Sequence, residues 1–193
     1  MTTSLLQSKL SSLAPLAGAS LTKQALLVIC GSLFLAALSQ VAVGGPVPMT
    51  LQTLGVMLIG LTFGLRLGTA TLVAYLLEGL AGLPFFAKFS SGIATFAGPS
   101  GGYLVGFLLA VMVMGYLADR GFTKGWTGTI IACLIGEVIL FALGVVWLGH
   151  VLGFEHALEY GLTPFILGDA IKVALAALLG KGVLKGAENF AKM

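Results

Sequence analysis

The sequence predicts an all-α membrane protein, a compact six-transmembrane-helix bundle with both termini cytoplasmic. Two features of the composition predict this class, and the positions of the basic residues predict its orientation. The 193 residues include 10 Lys or Arg and 7 Asp or Glu, while 58% are hydrophobic; soluble domains have about 25% charged residues. No charged residue occurs in the intervals 24–65 and 89–118, so each can hold at least one membrane helix of about 20 residues.

Apolar runs bounded by turn residues define six predicted spans within a single membrane domain, 1–193. The first run could be a signal peptide, but five further runs follow it, which favours an uncleaved anchor. No duplicated half is visible, which excludes the larger secondary transporters built from paired repeats. The predicted spans are 24–43, 51–66, 68–83, 102–118, 127–149 and 163–183.

The basic residues are distributed unevenly between the two sides of this topology. With the amino terminus in the cytoplasm, eight of the ten fall on the cytoplasmic side, whereas Lys88 is outside and Lys172 lies within the sixth span. The positive-inside rule predicts this asymmetry. The basic residues are too few and too scattered for a surface that follows nucleic-acid phosphates. The eight are Lys9, Lys23, Arg66, Arg120, Lys124, Lys181, Lys185 and Lys192.

Small residues recur at every fourth position in three predicted helices. This spacing places each set on one helix face, where backbones can approach closely. We therefore expect these faces to pack inside the bundle, with docking of a membrane partner as the alternative for one of them. The sets are Gly60, Gly64 and Gly68; Gly102, Gly106 and Ala110; and Gly128, Ala132 and Gly136.

Motifs for enzymatic chemistry are scarce. The chain has no GxxxxGK[ST] phosphate loop and no HExxH, so we expect it not to hydrolyse ATP unaided. The segment 98–102, GPSGG, matches the nucleophile-elbow pattern and the GxSG of rhomboid intramembrane proteases. A serine nucleophile needs a base within hydrogen-bond reach, and the sixth predicted span contains no histidine. We expect Ser100 to be a helix N-cap, with an intramembrane serine hydrolase as the alternative.

Two histidines and two acids crowd the loop between the fifth and sixth predicted spans. His150, Glu155, His156 and Glu159 could in principle hold a metal. Solvated loop charges are the favoured interpretation, so no metal site is predicted.

Four ionisable residues are predicted to lie at membrane depth, where each is costly unless it is paired or hydrated. Asp169 and Lys172 are three residues apart on one helix face, so they can neutralise each other while offering an acceptor and a cationic donor to one cavity. A purely structural ion pair is the alternative. Glu78 and Glu137 could instead be neutral and bonded to a neighbouring helix, which is the favoured interpretation for Glu137.

Three loops on the predicted outer side carry the remaining ligand-binding features. The loop 44–50 contains two prolines and no charge, which suits a lid; the loop 82–98 offers aromatic rings and one cation that could meet a carboxylate; the third ends at Thr163 and Pro164. The free N–H groups at the start of the fourth span favour an anion. These loops predict a pocket for a compact, partly apolar metabolite. Its candidate residues are Gln52, Thr53, Phe86, Lys88, Gly101, Gly102 and Tyr103.

Four strings, in order and spacing, resemble the BioY family of biotin transporters. They are PVPMTLQTLG at 46–55, GLPFFA at 82–87, GPSGGYL at 98–104 and GDAIK at 168–172. The resemblance implies a six-helix S component of an energy-coupling factor (ECF) transporter in the bacterial cell (inner) membrane, which binds biotin from outside with high affinity.

The resemblance also implies roles for individual residues. Asp169 would accept hydrogen bonds from the ureido N–H groups, with Lys172 beside it. Tyr103 and loop phenylalanines such as Phe86 would pack against the bicyclic ring. For the carboxylate, the candidates are Lys88 and the amides around Gly101 and Gly102; Gln52 and Thr53 would belong to a lid, and Glu78 completes the predicted substrate-binding set.

The family's energy coupling implies partners. A transmembrane T component and two ATP-binding subunits would energise transport, so ATP would be used only by the partners and no cofactor is expected. S components usually carry an Ala-xxx-Ala docking motif in the first span. The nearest match here is Ser32-xxx-Ala36, with Gly31 and Ala37 adjacent. A solitary transporter that acts without this module is the alternative.

Overall fold

The computed structural model describes residues 20–191, with side chains to residue 185. The predicted positions of Lys9 and Lys192 fall outside this range. The fold is helical, as expected, apart from one small antiparallel hairpin formed by β1 (Ala42–Val43) and β2 (Met49–Thr50). The helices are α1 (Leu21–Gln40), α2 (Gln52–Leu80), α3 (Gly92–Ala97), α4 (Gly101–Asp119), α5 (Trp126–Leu152), α6 (Phe154–Gly161) and α7 (Phe165–Ala191).

Helix α2 reverses direction at Gly64. Gly64 has φ 73° and ψ −176°, a conformation open essentially only to glycine. The Gln52 side-chain amide donates to the Tyr75 hydroxyl at 2.7 Å across 23 residues, which an uninterrupted helix would hold about 34 Å apart. The carboxylate of Asp119 accepts from the Leu65 N–H at 3.0 Å and so caps the second half. α2 is therefore two antiparallel halves, 52–63 and 65–80, and the turn lies at Gly64 rather than near residue 67.

The helices provide fewer obvious membrane crossings than the sequence predicts. Among the described residues, and with α2 counted as one continuous helix, α1, α2, α4 and α5 are by length and composition able to cross a membrane. Helices α6 and α7, bent by 43°, give a fifth crossing if the pair is one span. Each half of α2 is shorter than the roughly 20 residues of a typical spanning helix. The coarse result is a multi-pass membrane protein with four or five candidate crossings.

The predicted packing role of the small residues is confirmed between α2, α4 and α5, but Gly60 and Gly68 do not share one helix face because α2 reverses at Gly64. A Cβ at Gly60 or at Gly136 would lie within 3.0 Å of the Met114 side chain, and one at Gly106 would lie 3.0 Å from the Leu140 backbone. Because these positions lack side chains, the three helices approach closely. Buried residues from α1, α2, α4, α5, α6 and α7 form one contiguous core cluster.

The bundle has two chemically different ends. The hairpin and the start of α4 lie at one end, where they line a common cavity. The end of α4 lies at the other, because Asp119 contacts Gly64 and Leu65. We call these the hairpin end and the basic end. Basic residues placed at the basic end are Arg66, Arg120, Lys124 and Lys181.

Candidate functional site

A cavity of about 290 Å³ opens at the hairpin end. Its size is at the lower limit of typical small-molecule sites, which favours a compact ligand. The hairpin tip, the segment 86–100, the first turns of α2, α4 and α7 and the middle of α5 enclose it. The lining includes six of the predicted site residues: Gln52, Thr53, Phe86, Lys88, Tyr103 and Lys172.

Asp169 and Lys172 form a buried ion pair on α7. Nζ of Lys172 lies 2.6 Å from Oδ1 of Asp169, as their spacing on one helix face predicts. The Thr53 hydroxyl donates to the same Asp169 oxygen at 2.9 Å and accepts from Lys172 at 3.0 Å. Lys172 also donates to the Thr50 carbonyl at 2.7 Å. The end of β2 and the start of α2 therefore hold both charged side chains in place.

One oxygen of this pair keeps its hydrogen-bonding capacity. Asp169 is only 4% exposed, and within the described part of the chain its Oδ2 has no hydrogen-bond partner. A buried carboxylate oxygen without a partner is costly. It is therefore suited to accept a hydrogen bond from a ligand N–H group.

Glu137 extends the buried charged group. It is 9% exposed, and Asp169 and Lys172 are the charges that act on it electrostatically. Its Oε2 has no hydrogen-bond partner among residues 20–185, so this oxygen does not make the expected bond to a neighbouring helix. Two carboxyl groups and one ammonium thus share the interior beside the cavity.

An aromatic wall lines the cavity one helical turn from this group, since Phe165 precedes Asp169 by four residues and Phe141 follows Glu137 by four. The Tyr103 ring stacks on Phe165 at 6.3 Å between centroids, and Phe141 lies edge-on to both rings. The Tyr103 hydroxyl donates to the Gly161 carbonyl at 2.7 Å, so the ring, rather than the hydroxyl, is turned to the cavity. Sequence reasoning missed Phe141 and Phe165 because both belong to helices in which an apolar residue is unremarkable. Two sequence features could have identified these residues: Phe141 lies one turn after Glu137, and Phe165 directly follows Pro164.

Lys88 joins the two segments that cover the mouth of the cavity. It lies in a 3₁₀ turn, Ala87–Phe89, and Nζ donates to the Gly44 carbonyl in the hairpin at 2.9 Å. The hairpin tip therefore has the position expected of a lid. Gln52 and Thr53 lie deeper, in the wall, because their side chains bond to Tyr75 and Asp169.

Four of the ten predicted substrate-binding residues are not among the residues that line this cavity. Asp169 is one of them; it lies behind Thr53 and Lys172, which bond to it and do line the cavity. The other three lie farther from the cavity in the chain's packing. Gly101 and Gly102 pack against Trp147, and a Cβ at Gly102 would overlap that side chain. They line a separate apolar hollow together with His150. Glu78 is on the second half of α2 and is not among the lining residues.

Ser100 occupies the position before α4, as predicted, and it is one of the residues that line the cavity. Its side chain makes no capping hydrogen bond. The expected capping interaction is therefore absent although the helix begins where the sequence predicts.

The face of α1 predicted for partner docking is largely internal. Ser32 is fully buried and Ala36 is 7% exposed. A Cβ at Gly31 would meet Thr71 and Phe63 of α2, so small residues here serve packing within the chain. Ala37 is exposed.

The predicted loop carrying histidine and acidic residues contains helix α6. His156 and Glu159 lie 3.7 Å apart on its exposed surface, as expected of solvated charges. No group of three or more potential metal ligands occurs in the part of the chain that the structure describes.

Comparison with known proteins extends this picture. The model of the BioY family matches residues 6–189. The "Biotin transporter BioY" of Rhizobium etli is 41% identical over 73% of this chain and 80% of its own length, and that of Thermotoga maritima is 40% identical over 70% and 79%. A solved structure described as the S-component for biotin from an ECF-type ABC transporter has a TM-score of 0.77 and 30% identity, over 85% of this chain and 92% of its own.

These similarities agree with the resemblance noted in the sequence. The relatives are named transporters, which sets the chain apart from enzymes and removes the hydrolase alternative. The family model covers nearly the whole chain, and the solved fold is shared over most of it. The chain belongs to the BioY family.

Proposed function

We propose that this chain is a membrane subunit that binds biotin in the cavity at the hairpin end and captures it for uptake. The observation that carries the proposal is the buried Asp169–Lys172 pair, with one carboxylate oxygen lacking a partner, next to an aromatic-lined cavity. The names of the relatives support biotin as the ligand.

The chemistry of biotin matches the polarity of the cavity from its inner wall to its mouth. The ureido head has two N–H donors, so Asp169 accepts from an N–H group through its free oxygen. The three N–H donors of Lys172 are already engaged within the protein, so Lys172 holds that carboxylate in place. The bicyclic ring packs against Tyr103, Phe141 and Phe165. The carboxylate then extends toward Lys88, which is exposed at the mouth.

In this proposal the bundle crosses the bacterial inner membrane six times as one domain. The two halves of α2 each provide one crossing, in line with their antiparallel arrangement about Gly64. The basic end faces the cytoplasm together with both termini, since Arg66, Arg120, Lys124 and Lys181 lie there. The cavity consequently opens to the outer side.

A separate ATP-hydrolysing ECF module energises uptake. Two observations support this: the sequence has no phosphate loop, and the similar solved structure is named as part of an ECF-type ABC transporter. The T component would contact the exposed side of α1 that includes Ala37, because Gly31, Ser32 and Ala36 pack against α2. Uptake of labelled biotin by cells that express the chain with and without the module tests this step. Equal uptake would instead establish a solitary transporter.

Ligand discrimination tests the binding proposal. Lipoic acid, like biotin, carries a pentanoate chain on a sulfur-containing ring, but it has no ureido group. Titrated into purified wild-type protein in detergent, biotin should bind saturably and lipoic acid should bind at least about tenfold more weakly, because the hydrogen bond to Asp169 would be lost. No saturable biotin binding by folded protein would refute the proposed function.

A further inference from the structure

The segment that carries Phe86 and Lys88 into the cavity has an unfavourable backbone conformation. Lys88 has φ 58° and Phe89 has φ 56°, which places two consecutive non-glycine residues in the left-handed region. Such residues persist only where the surroundings hold them in place. We call residues 84–90 the cavity loop.

Gln40, the last residue of α1, holds this loop with both ends of its side-chain amide. Its Oε1 accepts from the Phe89 N–H at 2.8 Å. Its Nε2 lies 3.2 Å from the Phe86 carbonyl and 3.3 Å from the Pro84 carbonyl. The two hydrogens of this amide are shared between these carbonyls and the Ala36 carbonyl and Ser39 hydroxyl of α1, so the Oε1 contact to Phe89 is the most specific of the three contacts with the loop.

Two further side chains fix the beginning of the cavity loop. The hydroxyls of Ser39 and Tyr75 lie 2.6 Å and 3.0 Å from the Phe85 carbonyl. Tyr75 accepts from Gln52, which lines the cavity. The contact between Gln40 and the Phe89 N–H differs from these two contacts. It acts on one of the left-handed residues itself, and its acceptor is the Gln40 side chain.

We propose that Gln40 is a positioning residue for ligand binding: its amide keeps the cavity loop in the left-handed conformation that places Phe86 in the wall and Lys88 at the mouth. Gln40 does not line the cavity and acts through the loop. Since it ends α1, a movement of α1 relative to α2 would also move the loop. The inference rests on the proposed biotin-binding function.

The conformation of the loop can be tested without any ligand. In Gln40→Leu the Phe89 amide loses its acceptor, so hydrogen–deuterium exchange of the peptide covering residues 84–91 should become at least about tenfold faster. The same substitution at Gln24, toward the opposite end of α1, should leave this peptide unchanged. Equal exchange in Gln40→Leu and wild type would overturn the proposal, whether or not the protein binds biotin.

Binding measurements test the consequence for the ligand. Gln40→Leu should weaken biotin binding by about three- to tenfold, while Gln24→Leu should not. Adding Phe89→Asn should restore much of the loss, because asparagine tolerates the left-handed region better than phenylalanine and the Phe89 side chain is 71% exposed. In a Lys88→Met background, Gln40→Leu should have a smaller effect. If Gln40→Leu and Lys88→Met weakened binding by fully additive amounts, or if Phe89→Asn restored no binding, positioning through the loop would be contradicted.

Discussion

The ammonium of Lys172 lies 2.6 Å from the carboxylate of Asp169 one turn away on α7, and both side chains are nearly excluded from solvent. Thr53 of α2 and Thr50 of β2 add hydrogen bonds to the pair, through the Thr53 hydroxyl and the Thr50 carbonyl. Because α2 and α7 are distant in sequence, these contacts form only when the bundle folds. The same contacts set the polarity of the cavity wall. Stability and binding therefore have to be separated experimentally.

Removing one member of the pair should destabilise the protein more than removing both. Asp169→Asn or Lys172→Met leaves an uncompensated buried charge, at a cost of about 3–5 kcal/mol. The double variant Asp169→Asn/Lys172→Met leaves neither charge, so it should recover much of that stability without recovering biotin binding. Thermal unfolding in one detergent measures this. Strictly additive destabilisation would mean that the two side chains do not act as a pair.

The proposed partner of the biotin carboxylate predicts a specific interaction between a variant and a ligand analogue. Lys88→Met should weaken biotin binding by about three- to tenfold, as expected for loss of one partly exposed charged contact. It should leave binding of biotin methyl ester nearly unchanged, because the ester carries no charge. Calorimetric titration of both ligands into both proteins provides the comparison. An equal loss for acid and ester would assign Lys88 to the lid contact with Gly44 alone.

The reversal of α2 predicts that alanine is poorly tolerated at Gly64. At φ 73° and ψ −176° an alanine is strained, and its Cβ would overlap the Asp119 carboxylate. We expect Gly64→Ala to lower stability by about 2–4 kcal/mol. Gly182→Ala, in α7 with no atom within 4 Å of the added carbon, is the matched control. Similar unfolding temperatures for the two variants would refute the helical reversal.

The Tyr103 ring lines the cavity, whereas its hydroxyl bonds to the Gly161 carbonyl. This difference gives another prediction. Tyr103→Phe removes the bond to the Gly161 carbonyl, so it should cost about 1 kcal/mol of stability while leaving the biotin affinity within about threefold. Tyr116→Phe, on the exposed side of the same helix, controls for the substitution. Loss of binding in Tyr103→Phe would show that the hydroxyl contacts the ligand.

The sequence predicted the charged part of the site because charges at membrane depth are rare. Asp169 and Lys172 stood out by their spacing alone, and their pairing is confirmed. Aromatic residues give no such contrast in an apolar helix, so Phe141 and Phe165 became apparent only when folding brought α5 and α7 together across the cavity.

Positions that depend on side-chain direction were harder to predict. Gly101 and Gly102 follow the cavity segment in sequence, yet the turn of α4 places them against Trp147. Likewise the small residues of α1 could pack either internally or against a partner, and periodicity does not distinguish these outcomes. The helix reversal was expected, but its position at Gly64 depends on the close approach of Asp119, a contact across 54 residues.

The most direct measurement is a titration of biotin into purified wild-type protein and Asp169→Asn, with Glu159→Gln on the exposed surface of α6 as the control. We predict saturable binding by wild type and Glu159→Gln. We expect the affinity of Asp169→Asn to be about 10- to 100-fold lower, because a hydrogen bond to a buried charge is lost. Equal affinity of folded Asp169→Asn and wild type would contradict the assignment of this carboxylate to the ligand.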